Sequence, residues 1–484
     1  MKKSTISLKT TLLTTILVVC FLSCKNEKKA EDVKKEVLTT YNEENGGTLC
    51  LSEASWFPHS QTPPPAEGKG SPFDVSSTTN CIFHQWSWQK FLWVTKPEGD
   101  LPLFLNQKEI IQVTDAMEPV VQQAGASVVL TDTIQAGFSH GILKVNPAYN
   151  SATDKALTVH YSIHTSLIMQ ESAEAFKAAL ASGKLPANNL ETFPVGSLEL
   201  KVSWVDVTAI PNDKLKDYYT TTAAVINKDG KTYTNTNVAL LGMHVVGVVE
   251  NHPEFIWATF EHNDMAPNYD WKANSASSAT EKLLFAKGST TGLDGITFIK
   301  DDKPVLASKA FDLFQYGVPV TASGYMKTSQ SEPENFNNIK EINASVAKNL
   351  KDVWQNYFYN GSIWIDTDSL TPLQQAQKIV KLGSSISAAT PGSSARGSLN
   401  CANVTMETFT QTFQSNISDI NVKNLANCFS CHSPISFAGN TSPIYLSHIF
   451  DAYIQSSEGK SKKEIDLMKD DQHKKISEFL RTLK

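Results

Sequence analysis

The segment from Val238 to Val249 is a nearly continuous run of apolar residues, in which His244 is the only ionisable side chain. A run of this length that is rich in valine favours a β-strand buried on both faces, which has to lie inside a sheet. Two further strands are predicted, because Leu198–Trp204 alternates apolar and polar residues and Phe255–Phe260 reads FIWATF. The sequence therefore predicts a large β-rich body.

Helices are predicted at fewer places in the chain. The stretch Ser166–Ser182 has a helical pattern and is followed by Gly183, a residue type that often ends helices. Residues 82–94 place Trp86 and Trp93 at helical offsets, which is typical of a helix packed into a core. Together with the strands, these segments predict an α+β fold with a large β-rich body.

Residues 1–23 have the features of an export signal. Lysines precede an apolar stretch of 12 residues, Thr11–Leu22, which is too short to cross a bilayer as a helix. The sequence Leu22-Ser23-Cys24 resembles the end of a bacterial lipoprotein signal, in which Cys24 is lipidated and becomes the first mature residue. An ordinary cleaved secretion signal is the alternative. We expect an extracytoplasmic protein in both cases. If Cys24 is lipidated, the protein is expected to be anchored to the inner or outer membrane and to face the periplasm or the cell surface.

Composition along the chain predicts the remaining organisation. Residues 24–48 are highly charged and nearly free of large apolar side chains, so they are predicted to form a flexible tether. The β-rich body is expected over residues 49–383, a linker loop over the small-residue stretch 384–400, and a C-terminal module over 401–484. The net charge is −6, with 43 basic and 49 acidic residues, so no nucleic-acid partner is expected.

A disulfide between two of the three cysteines Cys50, Cys81 and Cys401 is expected. Cys50 and Cys81 flank a proline-rich loop, and in an exported protein two cysteines that bracket a loop favour a bond between them. Cys401 then has no obvious partner. The pattern alone leaves open which two of the three cysteines pair.

Residues 428–432 read Cys-Phe-Ser-Cys-His, the C-x-x-C-H pattern of c-type haem attachment. Two thiols at this spacing can reach the two vinyl groups at one edge of a porphyrin, and the adjacent histidine can supply an axial nitrogen to the iron. Cys428, Cys431 and His432 are therefore predicted to hold one covalent haem c. The α+β fold is accordingly predicted to combine its large β-rich body with a C-terminal helical c-type haem module over 401–484. A short disulfide or half of a metal site is the alternative, although a zinc site needs more Cys or His at ligand spacing.

The sixth iron ligand has three candidates in the sequence. Met406 precedes the motif, whereas His448 and Met468 follow His432 by 16 and 36 residues. Methionine would raise the reduction potential, histidine would lower it, and an open position would admit small ligands. Around His448, Ser442-Pro443 predicts the start of a helix over Ile444–Ile454.

Further segments add a resemblance to a known family. They are Trp88–Trp93, Phe193–Trp204, Leu241–Val246, Ile256–His262 and Asn403–Phe409, ahead of the motif at Cys428. Together they resemble a group of exported bacterial cytochrome c family proteins with a single haem motif near the C-terminus. The resemblance implies haem c binding through Cys428, Cys431 and His432 in one integrated protein. It implies no particular activity.

His244 and His262 are candidates for a catalytic role, although no catalytic residue is assigned. Each lies in one of these segments, and a haem enzyme needs a proton donor or acceptor near the open face of the iron. The alternative is that His244 is a hydrogen-bonded core residue of an apolar strand and His262 a turn residue.

Three functions are compatible with these features. The first is a membrane-anchored monohaem c-type cytochrome that transfers electrons outside the cytoplasm to a redox partner protein, which the sequence does not identify. The second is a haem enzyme, peroxidase-like or a substrate oxidoreductase, in which the β-rich body forms a substrate pocket. The third is a binding or assembly lipoprotein with a structural or sensory haem. The first explains the signal and the motif, and the second also explains the size of the body.

Overall fold

The computed structural model describes most of the body and the segment around the haem motif. The described residues are 49–133, 141–153, 156–265, 269–270, 275–276, 280–283, 287, 296–300, 303–306, 320–321, 324–325, 332–382, 395–397, 403, 405–406 and 428–457. The signal, the tether, Cys24, Cys401 and Met468 lie outside this part of the chain. Residues 50–484 form one compact unit.

A nine-stranded sheet dominates the described part of the chain. Its strands are β1 (Ile110–Val113), β2 (Val128–Leu130), β3 (His160–Ser166), β4 (Leu198–Asp206), β5 (Thr220–Ile226), β6 (Tyr233–Val249), β7 (His252–His262), β8 (Tyr357–Ile365) and β9 (Ala395–Gly397). Their order is β9-β8-β7-β6-β4-β3-β1. In addition, β5 pairs with the N-terminal part of β6, and β2 pairs with β5. All pairs are antiparallel except β2 with β5.

The described helices are α1 (Asn80–Thr95), α2 (Leu167–Ala181), α3 (Glu332–Asn349), α4 (Pro372–Leu382), α5 (Cys428–Cys431) and α6 (His448–Ser457). Single turns of 3-10 helix lie at Ala54–Trp56, His59–Gln61, Leu103–Leu105, Val207–Ala209, Leu215–Asp217, Val353–Asn356 and Pro443–Leu446. Helices and a large antiparallel sheet together confirm the α+β class with a β-rich body.

Shorter strands complete the described secondary structure. Two-stranded pairs join Pro97–Glu98 with Leu101–Pro102, Tyr269–Asp270 with Ser275–Ala276, and Val320–Thr321 with Gly324–Tyr325. A four-stranded sheet contains Gly141–Lys144, Ala156–Thr158, Ile296–Lys300 and Lys303–Leu306.

The long apolar strand lies inside the sheet, as the sequence predicts. Along Val238–Val249, β6 pairs with β4 on one side and with β7 on the other. The strands predicted at Leu198–Trp204 and Phe255–Phe260 are confirmed as β4 and β7. The helix α2 is also confirmed, with Ser166 as its N-cap and Gly183 at a φ of 69° just beyond its end.

One face of the sheet, called here the helix face, is covered by α1 and α3. Alternate residues of β4, beginning with Leu198, point into this core. Phe91 of α1 stacks on Phe260 of β7 with ring centroids 4.1 Å apart, and the Trp88 indole of α1 donates a hydrogen bond to Asn343 of α3 at 2.9 Å. The helix approaches β6 so closely that a Cβ at Gly247 would lie 2.8 Å from the Trp86 ring.

Cys50 and Cys81 form a disulfide, which is the pairing favoured by their position around the proline-rich loop. It ties the start of the described chain to the first turn of α1. Closing a loop between residues 31 positions apart stabilises the fold by about 4 kcal/mol when the effect is attributed to chain entropy.

Two segments differ from the sequence-based expectations. Ala395–Gly397, inside the stretch expected to be a linker loop, is the edge strand β9, and its Arg396 pairs with Asp366 at 2.8 Å. The helix expected over Ile444–Ile454 is broken at Ser447 into the 3-10 turn Pro443–Leu446 and α6. Both differences arise from contacts with distant strands, which a local pattern does not contain.

A buried ion pair fixes α1 to the loop that precedes it. The Lys90 ammonium lies 2.8 Å from Glu67 Oε1, and the two side chains are only 4% and 12% exposed. The same carboxylate oxygen accepts a hydrogen bond from the Trp86 indole at 2.7 Å. Lys90 also lies over the Trp93 ring. Removing one charge of such a pair leaves the other in a poorly solvated place.

We therefore expect Lys90→Met to lower the free energy of unfolding by about 3 kcal/mol or more, because the Glu67 carboxylate stays buried without its cation. Urea unfolding followed by circular dichroism measures the loss. Lys69→Met is the matched control, since Lys69 pairs with Glu250 but is 78% exposed, and it should leave the unfolding midpoint nearly unchanged. Equal midpoints for the two variants would contradict a stabilising role of the buried pair.

Candidate haem-attachment site

The C-x-x-C-H segment lies against the face of the sheet opposite α1 and α3, called here the site face. One row across this face, read from the strand register, is Ile363, Trp257, Val246, Glu199 and Thr165. The next row is Gly361, Thr259, His244, Lys201 and Ile163. Successive rows on one face of a sheet are about 7 Å apart. The segment around the motif packs on the first of these rows.

The motif itself begins with one helical turn, α5, which brings His432 back towards the start of the helix. The His432 amide donates a hydrogen bond to the Cys428 carbonyl at 2.7 Å, continuing the helical pattern by one residue. The Cys428 side chain is half-buried. Phe429 is only 5% exposed and lies edge-on to Trp257, with ring centroids 6.1 Å apart. The turn is thus anchored by Phe429.

Two contacts fix the orientation of the His432 imidazole. Its Nδ1 lies 2.9 Å from the carbonyl oxygen of Leu446. Because a carbonyl can only accept, Nδ1 has to donate, and in the neutral ring the lone pair then resides on Nε2. The Trp257 indole lies against the ring at a centroid distance of 4.2 Å. Nδ1 bonded to a backbone carbonyl, with Nε2 as the basic nitrogen, is the usual arrangement of a metal-binding histidine.

His448 packs beside His432. The two rings are nearly parallel, at 22°, with centroids 4.1 Å apart. The structure therefore places His448 directly beside His432, the predicted axial ligand.

The surroundings of the motif are apolar, which suits a porphyrin. Buried residues in the same cluster come from α6, from the 3-10 turn before it and from the sheet: Val246, Trp257, Ile363, Phe429, Ile444, Leu446, Ile449 and Phe450. Covalent haem c needs two thiols and one axial nitrogen from the motif. Of these, the described side chains are the Cys428 thiol and the His432 imidazole, whose lone pair is on Nε2.

Hydrogen bonds from two parts of the body hold the segment that follows the motif. The Asn188 and Asn189 side chains accept from Thr441 and Ser442 at 2.6 to 3.1 Å. The Ser447 hydroxyl donates to Glu199 Oε2 of β4 at 2.8 Å. Burial raises the pKa of Glu199, while the Ser447 hydrogen bond and Lys201 act in the opposite direction. Sequence reasoning did not find these contacts, because no local pattern marks Glu199 or Asn188.

Of the other two candidate sixth ligands, the structure describes Met406. Met406 is fully buried in a separate apolar cluster with Tyr161, Val205 and Leu241, so the structure does not bring it to His432. The neighbouring Thr405 bonds to Ser203 at 2.7 Å. Met468 lies outside the described residues.

His244 lies on the site face, one row from Trp257. It is half-buried, and its Nδ1 forms a hydrogen bond with the Thr259 hydroxyl at 2.8 Å. Lys201 is its partner on the other neighbouring strand. His244 is therefore the candidate that the sheet brings near the motif.

His262, in contrast, belongs to the far end of β7. Its Nε2 donates to the Asp217 carbonyl at 3.0 Å, its Nδ1 accepts from the Asp264 amide at 3.1 Å, and its ring stacks on Tyr218. Burial lowers the pKa of His262 to about 4. With both nitrogens engaged by the backbone, His262 has a structural environment.

Comparison with family models, with curated proteins and with solved structures finds no match for this chain. Among the described residues, no group of three or more His, Cys, Asp or Glu side chains is arranged to hold a metal ion. No helix in the described part of the chain is both long enough and apolar enough to cross a membrane.

Three buried histidines predict a pH dependence of stability. Burial lowers the pKa of His84 and His262 to about 4 and that of His164 to about 3. In the unfolded chain these groups take up protons at about pH 6.5. Between pH 6.5 and 4 the unfolded state thus binds more protons, so stability is full above pH 6.5 and falls as the pH decreases.

We expect the free energy of unfolding to fall by about 4 kcal/mol per pH unit near pH 5, which is one proton for each of the three histidines. Urea titrations at pH 7, 6 and 5 measure this slope. His262→Gln should reduce the slope by about a third. A stability that does not change from pH 7 to 5 would mean that the imidazoles are already charged in the folded chain.

Proposed function

We propose that this chain is a membrane-anchored monohaem c-type cytochrome that binds haem through Cys428, Cys431 and His432 and transfers electrons outside the cytoplasm. The observation that carries the proposal is the hydrogen bond of 2.9 Å from His432 Nδ1 to the Leu446 carbonyl. It leaves the lone pair on Nε2, the nitrogen that an axial ligand uses.

The residues of the chain have separate roles in this proposal. Cys428 and Cys431 would form the thioether bonds, and His432 would bind the iron through Nε2. The bound group supplies an iron that accepts and releases one electron. Trp257 and the Leu446 carbonyl hold the imidazole in one orientation, and the apolar cluster around Phe429 and Phe450 excludes water from it. A ligand that is shielded from water and held in one orientation would move little when the iron gains or loses an electron.

Anchoring and compartment follow from the N-terminus. Lipidated Cys24 would attach the protein to a membrane, and residues 24–48 would let the body extend from it. A disulfide at Cys50 and Cys81 agrees with an oxidising compartment, which haem attachment also needs. The partner is a redox protein of the same compartment.

Production in a host with haem-attachment machinery should give a chain that keeps its haem after denaturation. A haem-stained denaturing gel measures this, because only covalent haem survives. The dithionite-reduced visible spectrum, with and without carbon monoxide, then reports the sixth position of the iron. We expect a six-coordinate, low-spin spectrum that carbon monoxide does not change.

Cysteine variants test whether the motif is responsible. Cys428→Ser and Cys431→Ser should lose most of the covalent haem, whereas Cys401→Ser, which changes a cysteine outside the motif, should keep it. Cys24→Ala should move the haem-stained band from the membrane fraction to the soluble fraction. A wild-type chain without covalent haem in this host would overturn the proposed function.

A haem enzyme is the second candidate function, and the position of His244 favours it. His244 is half-buried and hydrogen-bonded to Thr259, and it lies on the site face one row from Trp257, which contacts His432. In such an enzyme it would exchange a proton with a substrate or with peroxide. A positioned acid or base typically contributes a factor of about 10² to 10⁴ to the rate.

If this second function holds, carbon monoxide should shift the reduced spectrum, and His244→Gln should slow peroxide consumption about 100-fold. The measurement is stopped-flow absorbance of the haem-loaded protein. His262→Gln is the control, because His262 lies at the other end of β7 and should leave the rate unchanged. Equal rates for wild type and His244→Gln would remove His244 from the chemistry.

A further inference from the structure

We propose that Glu199 is a positioning residue for the axial histidine. Through Ser447 it fixes the segment Leu446–His448. In this segment the Leu446 carbonyl accepts a hydrogen bond from His432 Nδ1, and the His448 ring stacks on the His432 ring. This inference rests on the proposed role of His432 as iron ligand and adds a residue of the sheet to the site. Glu199 lies 233 positions before His432 in the chain, so the connection exists only in the folded protein.

The contacts form a chain of three steps. Glu199 Oε2 accepts a hydrogen bond from the Ser447 hydroxyl at 2.8 Å. Ser447 is 1% exposed and has an extended backbone with ψ of 109°, which breaks the helix between Leu446 and His448. The residue before this break supplies the carbonyl that accepts from His432, and the residue after it supplies the imidazole stacked on His432.

The break matters because it sets where the Leu446 carbonyl points. In an uninterrupted helix this carbonyl would accept from a backbone amide four residues further on. With Ser447 extended, it accepts instead from His432 Nδ1. The Ser447 hydroxyl takes part in this geometry, since it donates to Glu199 and also accepts from the Phe450 amide at the start of α6.

The position of Glu199 is hard to explain by packing alone. Its neighbours in the same row of the sheet are Val246 and Thr165, and Trp257 follows Val246. A carboxyl group in this row loses hydration, and an apolar side chain would cover the same surface without that cost. The Ser447 hydroxyl gives Glu199 a specific partner, and the partner belongs to the segment that orients the candidate ligand.

A fixed Leu446 carbonyl affects the iron through the ligand. A hydrogen bond from Nδ1 makes the imidazole more basic at Nε2, which stabilises the oxidised iron. Loss of the Glu199 contact would loosen the carbonyl, weaken this hydrogen bond and raise the midpoint potential. Mutation of an outer-shell partner of a metal ligand typically changes metal affinity or activity by about 10-fold or more.

Four variants test the proposal in the haem-loaded full chain. Glu199→Ala and Ser447→Ala each break the contact, whereas Glu199→Gln keeps a carbonyl oxygen as acceptor. The double variant Glu199→Ala/Ser447→Ala tests whether the two residues act through each other. Asp206→Ala is the matched control, because Asp206 is an acidic residue on the same strand that caps a different turn, at Thr208.

The expected result is a midpoint potential that rises in both alanine variants. At the wild-type midpoint their ratio of reduced to oxidised protein should be about 10-fold higher, which equals 59 mV for a one-electron couple. The double variant should match the single ones, and Glu199→Gln and Asp206→Ala should match wild type. A wild-type potential in Glu199→Ala would overturn the proposal. An equal shift in Glu199→Gln would also overturn it, since the charge would then be the cause.

A second readout does not depend on haem. The haem-free full chain, labelled with ¹⁵N-histidine, reports the protonation of each ring nitrogen, and His432→Gln assigns the signal. Wild type and Glu199→Gln should show His432 protonated at Nδ1, and Glu199→Ala should shift it towards the Nε2 tautomer. An unchanged tautomer in Glu199→Ala would overturn the positioning role even if the chain bound no haem, so the two proposals fail separately.

Discussion

The burial of β6 on both faces is the constraint on which the rest of this structure depends. From Val238 to Val249 the strand pairs with β4 and β7, so its backbone N–H and C=O groups form hydrogen bonds inside the sheet. Its apolar side chains, however, have to be buried by other elements on both faces of the sheet. The helices α1 and α3 cover the helix face. On the other side, the segment from Phe429 to Ile454 covers Val246 and Val248. The part of the chain that carries the haem motif is therefore also part of the core.

This arrangement explains why the site face holds polar groups between apolar clusters. Trp257 and Val246 lie under the motif, whereas the next row contains Thr259, His244 and Lys201. Polar side chains inside a sheet need partners, and His244 and Thr259 supply each other with one at 2.8 Å. The C-x-x-C-H motif thus lies where an apolar part of the sheet surface meets a polar part.

The sequence predicted those features that are local. The apolar run at Val238–Val249, the alternation after Leu198 and the cap at Ser166 each specify an element, because strand and helix periods are written in neighbouring residues. The C-x-x-C-H pattern is also local, and it predicts Cys428, Cys431 and His432 as the haem site. The sequence could not indicate features that depend on distant residues. These are the packing of Trp257 against the His432 imidazole, the hydrogen bond between Ser447 and Glu199, and the break at Ser447 in a helix that was expected to be continuous. Each depends on the register of the sheet.

The origin of these contacts bears on why the body is so much larger than a haem module needs. If His432 were held only by its own segment, the body would be a separate domain joined by a linker. Instead, the residues that orient the imidazole come from two sources, with the Leu446 carbonyl from the same segment and Trp257 from β7. Ser447 in turn is held by β4. In the proposed cytochrome, a sheet that supplies side chains around His432 would influence the properties of the iron, and unfolding of the body would remove those contacts.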